Sequence, residues 1–572
     1  MMKILVLGGY GVFGGRLAEL LKHDPGLTLL LAGRDGQKAR AFAESLGGTA
    51  TALPLVLDRR DIVAALALHH PDLVVDASGP FQAYGDDPYL VPKAAIAARV
   101  PYLDLADGAD FVEGIGELDA QARAAGVFVL AGVSSFPVLT HAVLSEMGKR
   151  LTVTDLTGGI APSPYAGVGM NVLRAVLGYA GSPVRLWRQG NPSTGIGLGD
   201  SLIATVSVPG KVPLLPLRFS LVDVPDLRVL PPAHPGLQSL WMGAAPQPGF
   251  LHRFLTLLAL ARARVPLPSL APLAPLAHWL LNLHPTGEHR GGMFLAAKGL
   301  RNGQPAQLSW HLLAEGDDGP LIPSMAVALV VRKMQQGLSP APGARAGIGA
   351  LTLKDYESVF AGRTILTGWR EGIEPEPYPQ TLGPVFHDLP PLLQKLHRPG
   401  ARSVWRGRAD VSRGKGPFAA LVAAFFGFPK PGKDQPVEVT FTTDSQGRET
   451  WIRNFGGRKM RSTQASGTGR ADAVTGDPLA PFLFALALGW DGSRLRLIPR
   501  RWGIDCLPLP RWLMPHGPAW EQVTDGRFRF HVEIILPLVG PVVSYDGWLD
   551  PVTDQGEPAE GLAEGGDRRD TD

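Results

Sequence analysis

A short apolar strand that runs straight into a cluster of glycines constrains this chain more than any other feature. Residues 3–7 (KILVL) lead into Gly8-Gly9-Tyr10-Gly11-Val12-Phe13-Gly14, and residues 16–22 then place Leu17, Leu20 and Leu21 on one helical face. The glycines satisfy G-x-G-x-x-G at Gly9, Gly11 and Gly14, and also a G-x-x-G-x-x-G spacing at Gly8, Gly11 and Gly14. Alone, such spacing means little. Between a strand and a helix it predicts a dinucleotide site, because a chain without Cβ atoms turns tightly and approaches a pyrophosphate closely. The helix N-terminus behind it supplies unpaired N–H groups and a favourable dipole.

The pattern continues as strand and helix in alternation. Apolar runs at 27–32, 52–57, 72–77, 102–104 and 127–131 predict strands, and 37–46, 62–69, 91–99 and 111–125 predict helices. Continuous apolar strands separated by helices imply a parallel sheet covered on both faces. The expected fold class is therefore α/β. A Rossmann-type doubly wound sheet over residues 1–131 is followed by a mixed α/β substrate or dimerisation domain over 132–372. Residues 350–372 are expected to return toward the first domain, and 327–333 fit helix or strand equally. The proline-rich stretch 375–379 reads as a linker. Beyond it, 437–442, 449–455, 495–498 and 527–536 alternate with period two, and Phe528, Phe530, Val532 and Ile534 share a face. With helices expected at 418–426 and 478–486, residues 382–551 form a separate α+β domain. Residues 552–572, rich in Gly, Glu and Asp, predict a disordered tail.

Charge and cysteine content exclude several classes. A net charge of +3 over 572 residues is too weak to argue for nucleic acid as a partner. One cysteine, Cys506, allows no internal disulfide and no cysteine cluster for zinc; no metal is expected, and a cytoplasmic setting suits the chain. The N-terminus lacks the marks of a signal peptide. No apolar run reaches the roughly 20 residues that span a bilayer. The nearest, 251–283, is broken by Arg253, Arg262, Arg264, Pro266, Pro268, Pro272 and Pro275. It reads either as a buried helix pair or as a peripheral membrane contact.

For hydride chemistry, the proton-handling candidates by position are Tyr84 after the fourth strand, Asp104 and Asp107 after the fifth, and His141 after Ser134-Ser135. Gly79 and Pro80, beyond the fourth strand, fall where a ligand crevice opens at carboxyl ends of strands. The ribose end predicts NADP(H) over NAD(H). Where an NAD site places an acidic residue after the second strand, this chain has Gly33 and Arg34, with Lys38 one helical turn on. Asp35 is expected to cap the helix that begins near Gln37.

Residues 4–14 (ILVLGGYGVFG), 31–38 (LAGRDGQK), 72–85 (DLVVDASGPFQAYG) and 101–107 (PYLDLAD) make the N-terminal part resemble the saccharopine dehydrogenase-like oxidoreductases. The resemblance implies that Gly8, Gly11, Val12, Phe13 and Gly14 hold the pyrophosphate and that Gly33, Arg34 and Lys38 flank the adenosine ribose. It also implies that Asp58 approaches the adenine, that Gly79 and Pro80 lie against the cofactor, and that the following domain dimerises. The chain departs from the family where Ala106-Asp107-Gly108 follow the Tyr102-Leu103-Asp104 segment, and where Ser134 stands in place of an acidic residue. Both changes point away from lysine-pathway chemistry. Residues 383–397, 451–462, 507–515 and 527–549 resemble a bacterial domain of the DUF4166 type, which implies no activity.

Three readings stay open from the residues. One is an NADP(H)-dependent oxidoreductase acting on a small or medium organic substrate. Another is a non-catalytic NADP(H)-binding sensor or scaffold, and the third a peripheral-membrane, lipid-facing reductase.

Overall fold

The computed structural model describes residues 1–552 except 168, 247–248, 266–267, 284–286, 373–375, 445–447, 467–473, 478–481 and 505–506. Cys506 and residues 553–572 of the expected tail lie outside the described residues. The chain forms two compact units. One comprises Met1–Val206 and Leu217–Gly368, the other Ser207–Pro216 and Trp369–Asp572.

The first unit opens with β1 (Met2–Leu7), β2 (Leu27–Gly33), β3 (Thr51–Val56), β4 (Leu73–Asp76), β5 (Tyr102–Asp104) and β6 (Phe128–Ala131). These strands pair in parallel in the order β6-β5-β4-β1-β2-β3. β1 is central, and Ile4, Leu5 and Val6 are fully buried, as a sheet covered on both faces requires. The chain leaves β1 toward β2 and later toward β4 on its other side, so a crevice opens at its carboxyl end. The sheet is not complete at residue 131. Its seventh strand, Gly343–Ala346, pairs in parallel with β6. The return to the first sheet therefore precedes residues 350–372, where the sequence placed it. A strand of GARA carries too few apolar residues to announce itself.

A second, mixed sheet follows in the same unit. Ser239–Ala244 pairs in parallel with Thr152–Ala161, and Arg290–Arg301 and Gln304–Glu315 add antiparallel strands beside it. The ambiguous stretch 327–333 lies in the helix Ile322–Gln335. This helix packs on the glycine-led helix Val12–Leu21: Ser324 Oγ donates to the Phe13 carbonyl at 3.0 Å, and Arg332 Nε to Asp24 Oδ2 at 2.7 Å. Residues 251–283 contribute the helices Gly249–Arg262 and Ala274–Leu283.

Among the described residues, the second unit is built around an eleven-stranded antiparallel sheet. Its strand Phe482–Trp490 pairs with Val474–Asp477 on one side and Leu495–Ile504 on the other, so the sheet closes on itself. Closure removes the exposed edges that an open sheet would leave. Two expectations fail here. Residues 478–486, expected as helix, contribute to a strand from Phe482 on, while 478–481 lie outside the described residues. The run LFALAL is rich in helix formers, but ladder hydrogen bonds on both flanks outweigh a propensity difference of a few tenths of a kcal/mol, roughly, per residue. Residues 377–379 of the expected linker belong instead to the helix Pro377–Leu382, whose Tyr378 and Leu382 are fully buried in the core with Leu393, Trp405 and Phe441, while residue 375 lies outside the described residues. Proline in the first turn starts a helix as readily as it marks a linker. The expected helix at 418–426 is present as Pro417–Phe425.

Ser207–Pro216 belongs to this second unit although it is distant in sequence. Arg370 holds it: Nε donates to the Ser207 carbonyl and Nη2 to Ser207 Oγ, both at 2.8 Å. The Trp490 N–H donates to the Gly210 carbonyl at 2.9 Å.

Candidate functional site

The glycine turn is held by its own backbone. The Gly11 N–H donates to the Gly8 carbonyl at 2.8 Å, and the Gly9 N–H to the Ala32 carbonyl at 2.9 Å. Gly8 has φ +71°, and a Cβ there would stand 2.8 Å from the Ala77 carbonyl oxygen. A Cβ on Gly14 would collide with the Gly8 carbonyl, and one on Gly11 would lie 3.0 Å from it. No side chain caps the helix that follows, so its first-turn N–H groups have no side-chain acceptor.

The opposite wall is the loop after β4. Asp76, fully buried at the strand end, accepts from the Ser78 N–H at 2.9 Å, from Ser78 Oγ at 2.5 Å, and from the Tyr84 hydroxyl at 3.2 Å. Arg59 lies 3.8 Å over the Tyr84 ring, and its Nη1 donates to the Tyr84 carbonyl at 3.0 Å. Burial raises the pKa values of both Tyr84 and Asp76. Tyr84 therefore holds the loop in place and does not line the cleft; Ser78, Gly79, Pro80 and Phe81 do.

Asp104 is also structural. Its Oδ1 accepts from the Gly132 N–H at 2.7 Å and the Ala106 N–H at 3.0 Å, joining the ends of β5 and β6, and burial raises its pKa to about 7. His141 lies away from the cleft against His234, with ring centroids 5.1 Å apart. Burial first, and His234 second, lower its pKa to about 4. Asp107 alone of the four proton-handling candidates lines the cleft. It is open to that space but flanked closely enough by protein to raise its pKa, and its Oδ1 accepts from Gln82 Nε2 at 3.1 Å.

Together these elements enclose a cavity of about 530 Å³ within the first unit. Its floor is Gly8, Gly11, Val12, Phe13, Gly79 and Pro80, and Asp107, Ser134 and Ser135 also line it. The far wall comes from the second sheet and includes Ile160, Met293 and Leu312. Sequence reasoning missed this wall and also missed Arg16, which lines the cleft one turn into the glycine-led helix. Arg16 carried a readable signal, a lone cation just behind the turn. The wall residues carried none, since strand pairing far along the chain sets their place.

The remaining predicted residues stand outside the cavity lining, at the ends of β2 and β3. The Tyr10 ring occupies the space a Cβ on Gly33 would need. Asp35 caps the helix Gly36–Leu46, accepting from the Gln37 and Lys38 N–H groups at 3.1 Å. Arg34 and Lys38 are exposed. Asp58 is forked to Arg60, which holds its pKa down to about 2.

Residues 4–130 match the family model for the saccharopine dehydrogenase NADP binding domain, and residues 389–549 match the domain of unknown function DUF4166. No curated protein sequence matches the chain. Among solved structures, it is similar to apo saccharopine dehydrogenase (L-Glu forming) from Saccharomyces cerevisiae, at 13% identity, 65% coverage of this chain, 100% of that chain and TM-score 0.46. It is also similar to amine dehydrogenase from Mycobacterium smegmatis, at 12% identity, 60% and 94% coverage and TM-score 0.32. A third is the WlbA dehydrogenase from Thermus thermophilus in complex with NAD and UDP-GlcNAcA, at 15% identity, 60% and 90% coverage and TM-score 0.30. From the two domain matches, the chain carries an N-terminal saccharopine-dehydrogenase-like NAD(P)-binding domain and a C-terminal domain of the DUF4166 type.

Proposed function

We propose that this protein is an NADP(H)-dependent oxidoreductase whose reacting centre lies in the cleft, between Gly79-Pro80 and Asp107. One observation carries the reading. The cleft runs from a glycine cradle with no room for Cβ atoms to a single carboxylate of raised pKa, with a largely apolar wall opposite. The cradle fits a pyrophosphate at Gly8, Gly11, Val12, Phe13 and Gly14, next to an uncapped helix N-terminus. In this reading Gly79 and Pro80 would lie against the nicotinamide half, Gly33 and Asp58 would flank the adenosine, and Arg34 with Lys38 would meet the 2′-phosphate. Bound there, the dinucleotide supplies or accepts a hydride. Reduction adds that hydride and one proton across a C=O or C=C bond and leaves the dinucleotide oxidised.

Asp107 holds the proton. Its raised pKa keeps it protonated further toward neutrality than an ordinary aspartate, which suits a general acid. Ser134 and Ser135 line the same cleft, and the Ser135 Oγ is buried without a protein partner. The test is calorimetric titration of the purified protein with NADPH and NADH, followed by turnover on a carbonyl and alkene panel. Saturable binding with NADPH favoured, and dinucleotide oxidation with some panel member, is the expected result. Failure to bind either dinucleotide overturns the reading.

A further inference from the structure

We propose that the substrate is lipid-like, an uncharged carbonyl or alkene on a long apolar chain, and that the protein collects it at an anionic bilayer surface through the helices Gly249–Arg262 and Ala274–Leu283. The nature of the reacting group rests on the oxidoreductase reading; the apolar chain and the bilayer contact do not.

The cleft argues for the chain. Ile160, Pro162, Met170, Met293 and Leu312 add an apolar lining beyond the glycine turn. Among the described lining residues Arg16 is the one cation, and its Nη2 already donates to the Ala166 carbonyl at 3.3 Å. A substrate bearing carboxylates would meet no paired cations here and would face Asp107. An alkyl chain would meet surface that is costly to leave in water.

The helices argue for the bilayer. Met170 lines the cleft and also packs on a cluster containing Leu173, Leu177, Ala259, Ala274 and Ala277. That cluster joins the helix Met170–Tyr179 to the helices at 249–262 and 274–283. Apolar material is thus continuous from the cleft wall to these two helices. Their outward side carries Phe254, Leu257, Leu276 and Trp279, each more than half exposed, beside exposed Arg253 and Arg264. No Asp or Glu occurs between Asp226 and Glu288. Exposed aromatic and aliphatic side chains with cations and no anions complement an anionic headgroup layer. Among the described residues no helix is long and apolar enough to cross a membrane, so the contact lies in the plane of the surface.

Full-length protein is tested for flotation with vesicles of phosphatidylglycerol and phosphatidylcholine, against vesicles of phosphatidylcholine alone. Flotation with the anionic vesicles, weakened by salt and at least tenfold by Leu257→Glu with Trp279→Glu, is expected. Both side chains are exposed, so the double variant should keep its Tm and its NADPH affinity. In parallel, hexanol, octanol and decanol are titrated with and without NADP⁺. Affinity should rise about three- to fourfold per methylene. Met170→Asp, a charge at the cleft wall and at a helix N-terminus that tolerates it, should flatten the series. Equal affinity along the series, or tighter binding of 2-oxoglutarate than of decanol, would overturn the substrate class. Lack of vesicle binding would overturn the bilayer contact, as would self-association in sedimentation velocity that the Glu variants abolish. Absence of NADPH binding would instead strike the oxidoreductase reading, while flotation and the alcohol series without dinucleotide still decide the lipid one.

Discussion

The Tyr10 hydroxyl accepts the backbone N–H of Asp35 at 2.8 Å. This bond fixes the end of β2 while the Asp35 carboxylate is turned into its helix cap, accepting two N–H groups and standing 3.6 Å from Lys38 Nζ. The Asp35 carboxylate is therefore engaged by its own helix, and Arg34 beside it is exposed.

Arg34→Ala should weaken NADPH by roughly 1.5–3 kcal/mol, the size of a hydrogen bond to a charged group, and leave NADH nearly unchanged. Paired dissociation constants for the two dinucleotides check this. Equal losses would assign Arg34 to the fold or the adenine.

Gly8→Val should abolish dinucleotide binding and cost about 1–3 kcal/mol of stability. It forces a β-branched residue to φ +71° and drives Cβ against the Ala77 carbonyl. Calorimetry for binding and thermal unfolding for stability separate the two effects. A variant that binds normally would show that the turn relaxes at no cost.

Asp107→Asn should lower the rate of reduction while sparing NADPH affinity, and it should change the pH profile. The wild-type rate should fall as pH rises through the raised pKa of Asp107, because the proton to be donated is lost. In the variant that limb should vanish. Its persistence in the Asn protein would move the proton donor elsewhere.

Asp226→Asn should stabilise the protein near neutral pH. Asp226 is fully buried; Thr140 is its polar neighbour, yet neither carboxyl oxygen reaches hydrogen-bond geometry, and burial lifts its pKa to about 7. The folded pKa lies above the unfolded one, so the unfolded chain releases this proton first. Stability from this group is full below about pH 4 and is lost as pH rises toward 7. The gain from the substitution should therefore grow over that window, to the order of 1–3 kcal/mol. Urea unfolding at pH 4.5 and pH 8 measures it, and a gain that shrinks with pH would contradict the assignment.

What could be read from the residues follows from how local each signal is. The β1-turn-helix unit and the Asp35 cap were legible because a few neighbouring residues determine them. Asp107, Gly79 and Pro80 were reachable because positions after parallel strands point into a crevice whatever lies opposite. Tyr84 in the loop after β4, Asp104 at the end of β5 and His141 in the helix Thr140–Gly148 offer similar chemistry, yet buried partners claim the first two and distance from the cleft removes the third. The strand Phe482–Trp490 and the helix Pro377–Leu382 hid for a related reason. Ladder partners on both flanks decide one and burial of Tyr378 the other, and neither cause is written in a window of ten residues.

The short piece Ser207–Pro216, held by Arg370 and Trp490, bears on how such a chain can be cut or assembled. The polypeptide passes between its two units at three places in sequence: after Val206, after Pro216 and after Gly368. A ribosome making this protein releases 207–216 well before their partners exist, so that piece waits unsatisfied while the rest of the first unit is synthesised. By the same logic the C-terminal unit is not one continuous stretch of the gene. A gene fragment that starts near residue 381 lacks both the strap and the arginine that binds it, and exchanging that unit between relatives would require three separate crossovers.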